Sequence, residues 1–340
     1  MTPAPSPKPP PKPLEHLNWR HEEILRALAT LRFATKTDIA HLSACDDLSG
    51  SQLRKILAAL SGGDNQPNQY LCRFPRPQIT RGALEKVYTL GARGRAYLSR
   101  ELGEPVDWWY SPAKASNHSF SYLLHQLTLS RLVCAVQHWV RQQTVYRLTQ
   151  SLLSYALAHT APKVTIQSAE STTTIPVIPD ALLCFERNDG EKYPLIIEVD
   201  RGTEFQERFK KHVTARTQLV RSGGHKHYLG IDAVCIAYIT PGVTTSYRAS
   251  RLKSMRQWTK EVVEAEIFGK NRQAWMERFR FTSLPYEEIY ERVSGLLTDA
   301  VWYGPDSETK VPLWSECPTK PHEENEHGPH TTADCDQAND

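Results

Sequence analysis

Three carboxylates in the middle of the chain have the spacing of a site for phosphoryl chemistry. Asp180 closes the run Ile178-Pro179-Asp180, and Glu198 and Asp200 end the segment Leu195-Ile196-Ile197-Glu198-Val199-Asp200. Residues two apart on a strand point to the same face, so Glu198 and Asp200 share one if this apolar run is a strand. With Asp180 on a neighbouring strand the three converge and can hold a hard divalent cation. Mg2+, or Mn2+ in its place, is bound through a few carboxylates plus water and substrate phosphate, where it polarises the phosphorus and activates an attacking water. The blander reading is a solvated acid at a strand end, and Asp200-Arg201-Gly202-Thr203 has the composition of a turn into a helix. Against that, Glu198 is flanked by apolar residues, which places the acids at the sheet edge where sites in α/β folds gather. Asp180, Glu198 and Asp200 are therefore the catalytic candidates.

A second constellation is basic. In Ser51-Gln52-Leu53-Arg54-Lys55-Ile56-Leu57-Ala58-Ala59-Leu60, helical spacing puts Leu53, Ile56, Leu57 and Leu60 on one face and Ser51, Gln52, Arg54 and Lys55 on the other. A helix fits the major groove, where Gln and Arg pair with base edges and Ser and Lys hold phosphates. Arg73, Arg76 and Arg81 lie on or beside the loop between two strand-like runs, 70–74 and 85–90. For any one of these seven residues a solvated basic face explains the residue as well as DNA contact does. The order of the elements together with the concentration of charge is what points to DNA binding.

The net charge of +3 conceals an asymmetry. Residues 51–100 hold nine Lys and Arg against two acids, and residues 316–340 hold one Lys against seven acids. A compact basic segment suits a polyphosphate partner, because counterion release supplies most non-specific affinity. The acidic end is expected to compete with DNA for that segment. The longest apolar runs, 194–197 and 233–239, are strand-sized, far short of the roughly 20 residues of a membrane span. The proline-rich first thirteen residues lack the apolar centre of a signal peptide, so a cytoplasmic protein without a membrane partner is expected. The seven cysteines form no CxxC pair and read as reduced and structural, and the spacing of Cys317, His322, His327, His330 and Cys335 matches no zinc pattern. His225-Lys226-His227 reads as a solvated loop. No phosphate-binding loop, nucleophile elbow or HExxH is found, so no nucleotide cofactor is expected and ATP hydrolysis and serine or zinc protease chemistry are disfavoured.

The elements that must position these residues follow from periodicity. A chain of 340 residues suggests two domains. Residues 1–15 form a proline-rich arm expected to be disordered. Residues 16–104 form a winged helix-turn-helix unit. Its first helix carries Ile24, Leu25, Leu28 and Leu31, and a short second helix, capped by Thr37, buries Ile39, Ala40 and Leu42. The basic helix then stops at Gly62-Gly63, and the two strands and a helix over 92–102 follow. Residues 105–116 read as a linker. The second domain, 117–304, opens with a long helix over 118–142 with Leu123, Leu127, Leu132, Val136, Trp139 and Val140 on its stripe. Strands are expected over 144–149, 163–168, 180–186 and 193–199. A helix over 204–221 should bury Phe205, Phe209, Val213, Thr217 and Val220, and a strand over 232–240 and a mostly helical extension come after it. Residues 305–340 are expected to be an acidic disordered tail.

Taken together, the helix-helix-helix-wing unit, the stretch from Asn117-His118 to His125, Pro179-Asp180 and Ile197-Glu198-Val199-Asp200-Arg201-Gly202-Thr203-Glu204 resemble the replication-relaxation family of plasmid and mobile-element proteins. The likeness spans roughly residues 20–240, with the Glu-x-Asp-Arg-Gly-Thr-Glu segment its most specific part. It implies an N-terminal winged helix-turn-helix followed by an αβββαβ restriction-endonuclease-like α/β domain, built in that nuclease fold around Pro-Asp and then Glu-x-Lys. It also implies double-stranded DNA as partner in plasmid replication, relaxation or mobilisation, either as a homodimer or with replication or mobilisation proteins. Carried over, Asp180 and Glu198 would be the metal ligands, and Asp200 falls where an active nuclease has lysine. That lysine positions water and stabilises developing charge, which a carboxylate does not do, so Lys210 or Lys211 would have to substitute. In place of an acid, the first helix offers His118 and His125. The alternative is a non-catalytic transcriptional regulator or mobilisation accessory factor whose nuclease-like domain binds a partner.

Overall fold

Capping chemistry fixes the starts of the first three helices of the N-terminal unit. The computed structural model describes residues 16–62, 69–75, 86–108, 110, 118–158, 161–167, 172–202, 204–241 and 245–313. Asn18 caps α1 (Trp19–Leu31) in a reciprocal box with His21. Thr35, at the end of the short strand β1 (Ala34–Thr35), caps α2 (Lys36–Ala40). The cap therefore lies two residues before Thr37, because Asp38 three residues on returns its carboxylate to the Thr35 N–H. Ser49 caps α3 (Gly50–Ser61), which ends at Gly62 in the left-handed conformation, φ 62°. Strands β2 (Leu71–Pro75) and β3 (Lys86–Leu90) pair antiparallel, β1 pairs with the other edge of β3, and α4 (Ala92–Arg100) follows. The misplaced Thr37 cap and the unexpected β1 have one cause: Phe33, Ala34 and Thr35 are fully buried in an extended segment too short to show a period.

The long helix α5 (Phe120–Gln142) is the axis of the molecule. From Leu127 to Val136 every residue is buried, Thr128, Ser130 and Arg131 included, so the helix has no solvated face over this stretch. One side packs on the large sheet and the other on the N-terminal unit, where the Ser130 hydroxyl donates to the Leu31 carbonyl at 3.0 Å. After it come β4 (Tyr146–Leu153), α6 (Ser154–Ala158), the hairpin β5 (Lys163–Gln167) and β6 (Thr172–Pro176), β7 (Ala181–Arg187) and β8 (Lys192–Val199). Next are α7 (Gln206–Arg221), α8 (Gly224–Leu229), β9 (Cys235–Thr240), α9 (Thr245–Glu266), α10 (Arg272–Met276), β10 (Phe279–Ser283), α11 (Ile289–Thr298), β11 (Trp302–Tyr303) and β12 (Lys310–Val311).

Seven strands form one mixed sheet in the order β12-β11-β10-β9-β8-β7-β4, with β8, β9 and β10 parallel and the other pairings antiparallel. Alternation sorts the core into two layers. Leu183, Phe185, Leu195, Ile197, Ala237 and Ile239 join α5, α11 and the N-terminal unit, whereas Leu182, Ile196, Ile236, Tyr238, Phe279 and Phe281 join α7 and α9. Two readings of the sequence change. Of the strand expected over 163–168, the described residues 163–167 pair with β6 in a separate two-stranded sheet outside the large one, and folded structure runs past Pro305 to Leu313, which is fully buried. Of the linker expected over 105–116, the described residues Val106, Trp108 and Tyr110 pack against the core. The five described cysteines are free, and among the described residues no helix is long and apolar enough to cross a membrane.

Candidate functional site

The three carboxylates meet at the carboxyl end of β8, on the face covered by α7 and α9. Even-numbered residues of β8 point to that face, so Glu198 follows Ile196 onto it. Asp180 enters from the turn before β7: its Oδ2 accepts the Val199 N–H at 2.8 Å, and its Oδ1 lies 3.1 Å from Nε2 of His125 on α5. Asp200 lies just beyond β8, where its backbone N–H donates to the Ile239 carbonyl at 2.9 Å. Gly202, at φ 71°, turns the chain towards α7 and donates its N–H to Asp200 at 3.1 Å. Asp180, Glu198, Val199, Asp200 and His125, with Tyr238, His212 and Arg201, line a cavity of about 200 Å³.

Two arginines complete the site. Arg216 of α7 donates Nε to Glu198 Oε1 at 2.6 Å, and Arg251 of α9 grips Asp200 with two bonds of 2.8 Å. Sequence reasoning singles out neither. The signal for Arg216 is its place seven residues after Phe209, two turns along the buried stripe of α7, where an arginine must find a partner. Lys210 and Lys211 do not take the role: Lys210 pairs with Glu261 of α9 at 2.8 Å and Lys211 is exposed. Phe209 is buried as expected, but Phe205 is 85% exposed, because it precedes the first turn of α7 instead of lying on its stripe. Of the two histidines on the opening of α5, only His125 reaches the cavity. His118 stacks with Tyr122 and meets Phe33 and Tyr110 edge-on.

Burial pushes the Glu198 carboxyl up to about 8, against the pull of Arg216 and with the repulsion of Asp180 behind it. Burial opposes the charge on Arg216, but Glu198 outweighs it and the guanidinium is held charged. Glu204 is also disfavoured by burial, yet the hydrogen bond to His212 and the charge of Arg208 hold it below the ordinary range. The Tyr238 hydroxyl is buried without a hydrogen-bond partner among the described residues, and Tyr238 lines the same cavity. The residues as they stand do not fit a divalent cation. Glu198 and Asp200 are each closed by an arginine, Asp180 is shared by His125 and a backbone amide, and among the described residues no group of three or more His, Cys, Asp or Glu could hold a metal ion.

In the N-terminal unit, α3 presents Ser51, Gln52, Arg54 and Lys55 to solvent and buries Leu53, Leu57 and Leu60. Gln52 has a local duty as well, its side-chain oxygen accepting the Ser49 N–H at 2.8 Å. Arg73 is half-buried on β2, and Arg76 and Arg81 lie outside the described residues.

A family model described as replication-relaxation matches residues 25–279, a span that takes in both α3 and the carboxylate cavity. The chain belongs to the replication-relaxation family. Membership suggests a role in the replication or relaxation of plasmid or mobile-element DNA. No curated protein and no solved structure matches this family member.

Proposed function

We propose that this member of the replication-relaxation family is a DNA-binding protein acting in plasmid or mobile-element replication, relaxation or mobilisation. Its N-terminal unit is read as a winged helix that lays α3 in the major groove of duplex DNA. The observation that carries the reading is the polar face of α3, four exposed hydrogen-bonding side chains including Arg54 and Lys55 backed by a buried leucine face. The order α1-β1-α2-α3-β2-β3, with β3 between β1 and β2, agrees with it. In the second unit α5, β4, β7, β8, α7 and β9 run helix, three strands, helix, strand, which favours a nuclease-like scaffold.

On that scaffold the arginine-closed carboxylates favour a binding protein over a nickase, with the alternative of a regulator or accessory factor that docks a partner there. The convergence of Asp180 and Glu198 in one cavity is the observation on the side of nicking. Supercoiled plasmid incubated with the protein, with Mg2+, Mn2+ or chelator, decides. A gel shift without nicked product, the same for wild type and for Glu198→Gln/Asp200→Asn, is the expected result. Metal-dependent nicking that the double variant fails to perform would establish a nuclease site, and absence of any shift would remove the DNA-binding reading.

A further inference from the structure

The rim of the carboxylate cavity has a chemistry that duplex binding by α3 does not use. Phe205, 85% exposed, follows directly on Glu204, which lines the cavity. Tyr247, 40% exposed, abuts the Gly202 turn so closely that a Cβ on that glycine would fall 1.4 Å from the tyrosine hydroxyl. On the same turn and the start of α7 are Arg201 on the cavity wall, Arg208 with 72% of its side chain exposed, and the exposed Lys211. Glu198 and Asp200 are occupied by Arg216 and Arg251, and Glu204 by His212 and Arg208, which leaves Arg201 and Lys211 as cations beyond these pairs. Behind the rim Tyr238, only 4% exposed, lines the cavity, and its hydroxyl bonds to none of the described residues. A buried hydroxyl is costly without a partner, which a ligand entering the cavity can supply.

We propose that this rim takes an unpaired DNA strand, with a base stacked on Phe205, phosphates among Arg201, Arg208 and Lys211, and the Tyr238 hydroxyl hydrogen-bonding a group that enters the cavity. Exposed aromatic faces set among cations are how proteins hold single strands without sequence readout, because every base has a face to stack. A duplex covers those faces with its own neighbours, so it can give the rim phosphate contacts but cannot use Phe205. The site goes beyond the duplex reading and stands without it: α3 would hold paired DNA, and the second unit an opened strand beside it.

The test is fluorescence anisotropy of the full chain with a labelled oligo-dT of about twelve nucleotides, within the span such sites cover, and with a duplex of equal length. Phe205→Ala is expected to weaken oligo-dT binding roughly 5- to 150-fold, the range that stacking of one base supplies. Duplex affinity should stay unchanged, and Phe205→Trp should keep oligo-dT binding. Arg54→Ala/Lys55→Ala should show the opposite pattern, which separates failure of this proposal from failure of the α3 reading. Wild-type protein that ignores oligo-dT, Phe205→Ala that binds it normally, or equal loss on both ligands would each overturn the proposal. Tighter binding of oligo-rU than oligo-dT would overturn its assignment to DNA. Since Phe205 is exposed, loss of folding is not expected, and thermal unfolding of Phe205→Ala checks it.

Discussion

Arg131 Nε lies 2.9 Å from Asp38 Oδ1 with both side chains buried. Asp38 belongs to α2 and Arg131 to α5, so a desolvated ion pair joins the N-terminal unit to the axis of the sheet domain. Further bonds surround it: the Tyr290 hydroxyl of α11 reaches the same Asp38 oxygen at 3.1 Å, and the Thr35 N–H and hydroxyl each reach Oδ2 at 2.8 Å. Arg131 also lies over the Tyr286 ring, 3.8 Å from its centroid. One carboxylate thus caps α2 and anchors it to two elements more than 90 residues away. The N-terminal unit is thereby tied at α2 to the long helix and to α11.

Asp38→Ala should therefore be among the most damaging single substitutions. Removing one partner of a buried pair strands the other charge, at a cost of about 3–5 kcal/mol. Urea unfolding of Asp38→Ala is expected to show that loss, and Asp38→Ala/Arg131→Met is expected to regain part of it, since the double change removes the stranded charge. A loss below about 1 kcal/mol, as at a surface pair, would show that the junction is open to water.

On α3, the residues proposed to read DNA and the residues that build the helix overlap. Arg54→Ala/Lys55→Ala should leave thermal stability unchanged, lower duplex affinity and reduce the slope of log affinity against log salt by about 1 for each phosphate that these two side chains neutralise. Gln52 calls for a different substitution, because its side-chain oxygen closes the capping box with Ser49. Gln52→Glu keeps the box and removes the amide donor, so weaker duplex binding at unchanged stability would assign Gln52 to DNA. Titration of duplex by anisotropy at several salt concentrations measures both effects.

What the sequence disclosed and what it withheld follow from the range over which each signal acts. Strand alternation puts Glu198 and Asp200 at one edge, and helical spacing puts Ser51, Gln52, Arg54 and Lys55 on one face, because both patterns are local. The partners of those acids are not local: Arg216 is 18 residues from Glu198 and Arg251 is 51 from Asp200, and no period connects them. Phe205 misleads for a related reason, since an aromatic beside a helical stripe looks buried until the first turn is placed. The buried Arg131 is hidden by α5 itself, whose second covered face is supplied by the N-terminal unit.

Gly202 is the hinge on which the site turns. Its φ of 71° is one that an L side chain adopts at a cost of about 1 kcal/mol, and an added Cβ would also meet the Tyr247 hydroxyl. Gly202→Ala is expected to lower stability by at least that amount in urea unfolding. Adding Tyr247→Ala should recover the steric part and leave the backbone part. Full recovery would show that the turn tolerates an alanine and that the collision alone had set the cost.

Glu198 gives the site a pH dependence whose sign can be worked out. Its carboxyl titrates near 8 in the folded protein, chiefly because it is buried, and near the ordinary 4.3 when unfolded. Between those values the folded state binds the extra proton, so stability falls as pH rises. The contribution is fully present below about pH 4 and is lost as pH passes through 8. Glu198→Gln keeps the shape and removes the titration, and the expected result is a melting temperature less dependent on pH between 5 and 8 than that of wild type. Matching profiles for the two proteins would mean that Arg216 keeps Glu198 ionised throughout, and the site would then be a fixed ion pair at neutral pH instead of a carboxylic acid beside a guanidinium.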